Sequence, residues 1–294
     1  MKRTDVASNY TRASCRATGP YENDPLSPHH LPTRPFHCGD PSSAGSLDSH
    51  RSRLHDREVY SETVLSEQRT LWRSVGGSAA AIPADGCVDL IVRNEQVLLC
   101  GPQTRVIHAP ADDVRPTVGL RLEAGTAHRI LPLALCELRD QVVELRAVLG
   151  SEGVVLYDLM MRASNASRPD LTLSPMLVDQ EEPWAAATRR LARTGTSARE
   201  AARALDWSER TLRRRMLESF GYGYSTLVRI KRACRARSLL QRGLSPADVS
   251  AMTGYADQPH LTREFARMVG VTPAQFSKAA KRSTLLPSGS STVA

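Results

Sequence analysis

The sequence predicts an α+β chain: a small β-rich N-terminal domain, a helical linker, and an all-α C-terminal domain in which two pairs of short helices are joined by a long one. Three observations predict it. Between Tyr60 and Leu122, short apolar runs alternate with Gly, Pro and Asn, the pattern of strands joined by turns. From Pro183 onward, apolar residues recur at three- and four-residue spacing behind Ser, Thr and Asp caps, the pattern of surface helices. Charge divides the chain at the same place: residues 183–282 carry 20 Lys+Arg against 7 Asp+Glu, net +13, whereas the whole chain is only +8.

The 294 residues leave room for two domains and for tails. Residues 1–58 are rich in Ser, Pro, His, Asp and Arg, with prolines at 20, 25, 28, 32, 35 and 41. Such a stretch cannot bury enough surface to offset chain entropy, so it is expected to be a disordered tail, or an extension upstream of a later true start. His29, His30, His37 and Cys38 are the only candidate metal cluster. A Pro-broken loop with no second cluster argues against it, and no metal or cofactor is expected. The six cysteines include no Cys-x-x-Cys pair, which points to free thiols in a reducing compartment.

The β-rich domain is expected over 59–150, with strands at Cys87 to Val92, Val97 to Cys100, Arg105 to His108 and Thr117 to Leu122. In the last, Val118, Leu120 and Leu122 alternate with Thr117, Gly119 and Arg121, as a half-buried strand requires. A helical stretch through Leu135, Leu138, Val142, Val143 and Leu145 is expected to close it near Gly150. The linker, 151–181, reads as a helix from Val154 to Arg162 and then a Ser/Asn/Pro segment around Ser164 to Pro175. Asp85-Gly86 reads as a turn, and Asp89 and Arg121 read either as solvated strand residues or as groups facing a pocket.

The C-terminal domain is expected over 182–282, with a tail at 283–294. An amphipathic helix from Trp184 to Ala192 precedes Thr196-Ser197, which caps a helix over Ala198 to Leu205. Asp206-Trp207-Ser208 breaks it, and Ser208 caps a second helix. Leu212, Met216 and Phe220 form the inward stripe of that helix, with Arg210, Arg213 and Arg214 pointing the other way. A long basic helix follows from about Ser225 to Gln241. The plan then repeats, with Ser245-Pro246 opening a helix, Thr253-Gly254-Tyr255 turning, and Asp257 capping a helix to about Met268. A final helix starts at Thr272-Pro273. This makes two helix-turn-helix units, 198–220 and 246–269, each offering a basic face of the kind that enters a major groove.

The run Gly254-Tyr255-Ala256-Asp257-Gln258-Pro259-His260-Leu261-Thr262-Arg263-Glu264-Phe265, followed by Gly270-Val271-Thr272-Pro273 and Phe276, resembles the signature of the AraC/XylS regulators. Leu212, Arg214, Gly221, Arg232, Arg235, Ala236 and Leu239-Leu240 match the first unit and linker helix of that family. The resemblance covers about residues 182–282. It implies a sequence-specific DNA-binding transcription regulator whose two recognition helices enter successive major grooves. The implied base-reading residues are Arg210, Thr211, Arg213 and Arg214 in the first unit, and Gln258, Pro259, His260 and Arg263 in the second. The plainer alternatives are phosphate contact for Arg210 or Arg213 and simple packing for His260. Two positions depart from the pattern: Met216 stands where Phe is usual, and Pro259 where a polar side chain is common. The first unit is therefore expected to dominate specificity.

The resemblance further implies promoter DNA and RNA polymerase as partners. It also implies an N-terminal domain that senses a small-molecule effector or mediates a homodimer, in a cytoplasmic protein. No stretch approaches the roughly 18 apolar residues of a membrane span. Two other classes fit the residues less well. An enzyme of the DNA-repair methyltransferase kind needs an activated cysteine, and Cys87, Cys100 and Cys136 lie in apolar runs without one. A non-specific architectural protein would spread its basic charge more evenly.

Overall fold

A computed structural model of the chain describes residues 59–77, 79–112, 115–173 and 182–284. The expected tail at 1–58, with the His29, His30, His37 and Cys38 cluster, and residues 285–294 lie outside the described residues.

The N-terminal region is an antiparallel sheet. Its strands are β1 (Val59–Ser66), β2 (Arg69–Val75), β4 (Val88–Arg93), β5 (Gln96–Cys100), β7 (Thr117–Leu122) and β8 (Val142–Glu144), ordered β1-β2-β7-β4-β5-β8. A separate pair joins β3 (Ala80–Ile82) to β6 (Ile107–Ala109). The predicted alternation in β7 holds: Val118, Leu120 and Leu122 are buried in one core with Leu90, Val92, Val97 and Leu99. Arg121 faces the other side of the sheet with its cross-strand partner Asp89. Gly119 sits opposite Trp72, whose indole would lie 2.2 Å from any Cβ there. Only a residue without a side chain lets that ring lie across the sheet.

Two expectations are corrected. The segment 135–145 is not a helix. Asp140 adopts φ +60°, and its carboxylate accepts hydrogen bonds from the Thr104 amide at 2.6 Å and hydroxyl at 2.8 Å. That pins the chain as a turn and delivers Val142–Glu144 to the edge of β5. Helix resumes only at α1 (Leu145–Leu149). The expected linker also holds more helix: α2 (Val154–Asn165) is followed by α3 (Pro169–Leu173), whose Leu173 is fully buried against the sheet.

Of the two readings left open for Asp89 and Arg121, the solvated one does not hold. Asp89 is 2% exposed and Asp85 8%, so neither is a solvated residue. Arg121 Nε lies 3.3 Å from Asp89 and 3.4 Å from Asp85, and its Nη1 lies 3.6 Å from Glu62. Trp72 donates to Asp89 at 2.9 Å. Asp85-Gly86 is also the predicted turn: Gly86 has φ +79°, and the Asp85 carboxylate accepts from the Cys87 amide. The buried arginine is thus the counter-ion of a carboxylate cluster on the second face of the sheet.

The C-terminal region is helical: α4 (Pro183–Arg193), α5 (Ala198–Ala204), α6 (Glu209–Ser219), α7 (Tyr224–Gln241), α8 (Pro246–Thr253), α9 (Gln258–Val269) and α10 (Pro273–Thr284). The long α7 is its axis, with α4, α6, α8, α9 and α10 all packing on it. Leu227, Ile230, Ala233, Ala236 and Leu240 are its buried stripe.

The two regions share a core. Ala84 and Ala124 belong to the cluster built by Phe220, Tyr222 and Leu227. Tyr222 donates to the Gly86 carbonyl at 3.1 Å, and burial pushes its hydroxyl pKa well up. Glu123 lies 3.3 Å from Lys231 and 3.7 Å from Arg189, and these cations hold its carboxyl below the usual range against burial that pushes it up. Two amides from the N-terminal loops, of Ala84 and Val106, donate to Met268 and Arg267 carbonyls at 2.8 and 3.2 Å. They satisfy carbonyls at the C-terminal end of α9 that helix geometry leaves without partners.

Candidate nucleic-acid interface

Each helix-turn-helix unit is built from local signals. Ser197 and Glu200 form a capping box at the start of α5. Ser208 accepts from the Thr211 amide at 3.1 Å to open α6. In the second unit, Ser245 accepts from Asp248 at 3.2 Å, and Asp257 accepts from His260 at 2.6 Å. Both turns need one left-handed residue. Gly254 supplies it in the second unit with φ +75°, whereas the first uses Asp206 at φ +56°. Asp is one of the few side chains that tolerate this region.

With the caps fixing where α6 and α9 begin, their periodicity sorts the faces. Leu212 and Met216 are buried in α6, and Leu261, Phe265, Met268 and Val269 in α9. The Met216 swap is accommodated at 0% exposure, as expected for an adaptable side chain in a core stripe. Arg210, Arg213 and Arg214 are exposed, as are Gln258, Pro259 and Arg263. Thr211 and His260 are half-buried and engaged. The Thr211 hydroxyl is 3.0 Å from that of Ser208. His260 Nδ1 accepts from the Ala256 amide at 3.3 Å, and the ring meets Tyr255 edge-on. The exposed residues of α9 are Gln258, Pro259, Arg263 and Arg267.

Several basic residues to which the sequence assigned no role have definite places in the fold. Arg215 lies over Trp207 and Trp184, at 4.7 and 5.6 Å from the ring centroids, and braces α4 against α6. Arg232 lies 5.4 Å from the Tyr255 ring and ties α7 to the second turn. Arg193 and Arg235 share a cleft with Arg232. The i, i+4, i+7 spacing of Val228, Arg232 and Arg235 was the available signal for that cleft.

Asp257→Ala is expected to remove the α9 cap and cost about 1 kcal/mol. Thermal denaturation at neutral pH checks the loss, and no change in Tm would mean that the Ala84 and Val106 bonds at the other end hold α9 alone.

The family model described as "Helix-turn-helix domain" matches residues 201–279. The HTH-type transcriptional regulator RipA of Corynebacterium glutamicum is 40% identical over 82 residues, 28% of this chain and 25% of that protein. The HTH-type transcriptional regulator VirS of Mycobacterium tuberculosis is 38% identical over 89 residues, 30% of this chain and 26% of that protein. The chain thus matches about a quarter of the length of these curated relatives. Among solved structures, ToxT from Vibrio cholerae O395 aligns over 72% of this chain and 97% of its own, at 10% identity and a TM-score of 0.40. Residues 201–279 of the C-terminal region thus match a helix-turn-helix domain, and the curated relatives that resemble this chain are HTH-type transcriptional regulators.

Proposed function

We propose that the chain is a sequence-specific DNA-binding transcription regulator that reads two successive major grooves with α6 and α9. The observation that carries this reading is the tandem arrangement. Two capped recognition-type helices, each with a basic exposed face, hang from one 18-residue helix. At 1.5 Å per residue the 18-residue α7 spans about 27 Å, the same order as the roughly 34 Å repeat between major grooves on one face of DNA.

In this reading Arg210, Thr211, Arg213 and Arg214 serve the first half-site, the arginines being suited to guanine O6 and N7. Gln258, Pro259, His260 and Arg263 serve the second. There Gln258 suits adenine, and His260 acts mainly by holding the helix start against Tyr255. The domains are 59–150 for sensing or dimerisation, 151–181 as helical linker and 182–282 for DNA, with units 198–220 and 246–269. The targets are promoter sites in the cytoplasm, with RNA polymerase downstream. A small-molecule effector or a second copy of the chain would act through the N-terminal sheet, whose loops contact α7 and α9 directly.

An enzymatic reading is disfavoured by the thiols. Burial pushes Cys100 up to about 12 and Cys87 well above its ordinary range, so neither supplies a thiolate near neutral pH. Binding-site selection with the full chain, repeated with Arg213→Ala and Arg263→Ala, tests the proposal. The expected result is a bipartite motif that relaxes in one half per substitution, each costing about 1–3 kcal/mol. Uniform binding to every sequence, unchanged by either substitution, would leave a basic domain that coats DNA.

A further inference from the structure

Between the two helix-turn-helix units lies a cleft of about 470 Å3 that the readings above do not use. Its floor is the Val228, Arg232 and Arg235 stripe of α7, and its walls are the ends of α4, at Arg193, and of α8, at Gly254. Among the described residues, no carboxylate and no residue of the N-terminal sheet lines it.

Three guanidinium groups around one concavity make an anion site. The ends of α4 and α8 bring about half a negative charge each, well short of the three positive charges they face. Guanidinium groups suit oxyanions because their forked donors match two oxygens at once. Arg232 is held in place by the Tyr255 ring, so at least one donor is fixed before any ligand arrives.

We propose that this cleft binds a phosphate group, and that the phosphate is one of the DNA backbone between the two half-sites. This rests on the reading of α6 and α9 as recognition helices in successive grooves. With both seated, the backbone that crosses between the two major grooves passes the part of the domain that joins the units, and the cleft lies in that part. Such a contact positions the protein and carries no sequence information. It adds affinity equally at every operator and fixes the two units at one spacing.

The test uses the full chain, with Arg193→Gln and Arg235→Gln combined. Arg232 is left alone because it packs on Tyr255. Each phosphate neutralised contributes about 0.9 to the slope of log K against log salt. The double variant is therefore expected to lose about one from that slope while keeping the wild-type base preference. A neutral methylphosphonate in place of the central phosphates should lower the wild-type slope by the same amount and leave the variant unchanged. The second arm is calorimetry with inorganic phosphate and no DNA. Saturable binding by the wild type and none by the double variant, with an unchanged DNA slope, would assign the site to a free phosphate-bearing ligand. An unchanged slope together with no phosphate binding overturns the proposal. Failure of the wild type to bind any DNA would instead overturn the regulator reading, and the calorimetric arm would still decide whether the cleft takes phosphate.

Discussion

Arg121→Met is expected to lower stability by about 3–5 kcal/mol, because it removes the cation and leaves buried carboxylates behind. Asp89 shows why the loss should be large. Burial already raises its pKa above the ordinary 3.8, and Arg121 is the first of the influences that oppose this. A carboxyl whose pKa is higher in the folded than in the unfolded state gives up stability as pH rises through the folded value, and loses nothing below the unfolded one. Removing Arg121 raises the folded value further. The deficit of the variant should therefore be greatest near pH 7 and shrink as pH falls toward 4. Urea denaturation of both proteins across that range measures it. A deficit that is equal at every pH would mean that the carboxylates are not what the arginine neutralises.

The second large effect concerns the joint between the two regions. Gly125 has φ +87°, and a Cβ there would lie 2.4 Å from the Phe220 ring. Gly254 is also left-handed, at φ +75° and ψ +30°, with nothing within 4 Å of the same point. Gly254→Ala should therefore cost only the backbone penalty, about 1–2 kcal/mol. Gly125→Ala carries that cost and adds overpacking worth about 1–3 kcal/mol, concentrated where the sheet meets the end of α6. Its expected signature is a Tm lowered further than that of the control substitution. Equal effects of the two substitutions would show that the ring gives way and that the joint is soft.

The helical half was legible because its signals are local. Ser197, Ser208, Ser245 and Asp257 each cap the helix that follows within three residues, and each stripe closes within three turns. The resemblance to one family supplied the second layer, since it assigned roles to α6 and α9 that periodicity alone does not carry. The sheet was less legible. β1 and β2 present Ser61, Glu62, Arg69 and Arg73 among few apolar residues, so alternation is faint. The Asp89–Arg121 pair depends on the register of β4 against β7, which no window of sequence displays. The turn at Asp140 failed for the same reason: the partner that stabilises it, Thr104, is 36 residues away. The cleft needs three elements brought together, so the sequence marks Arg232 and Arg235 only by resemblance and Arg193 only as surface charge.

If α6 and α9 grip two adjacent grooves as one rigid reader, the spacing of the half-sites is fixed. Inserting five base pairs between the half-sites of the selected operator tests it most directly. The insertion adds about 17 Å and half a helical turn, given roughly 10 base pairs per turn, which the fixed length of α7 cannot follow. The account predicts that affinity falls to that of a single half-site and that Arg263→Ala then has no further effect. Unchanged affinity on the split operator, with both substitutions still effective, would contradict it.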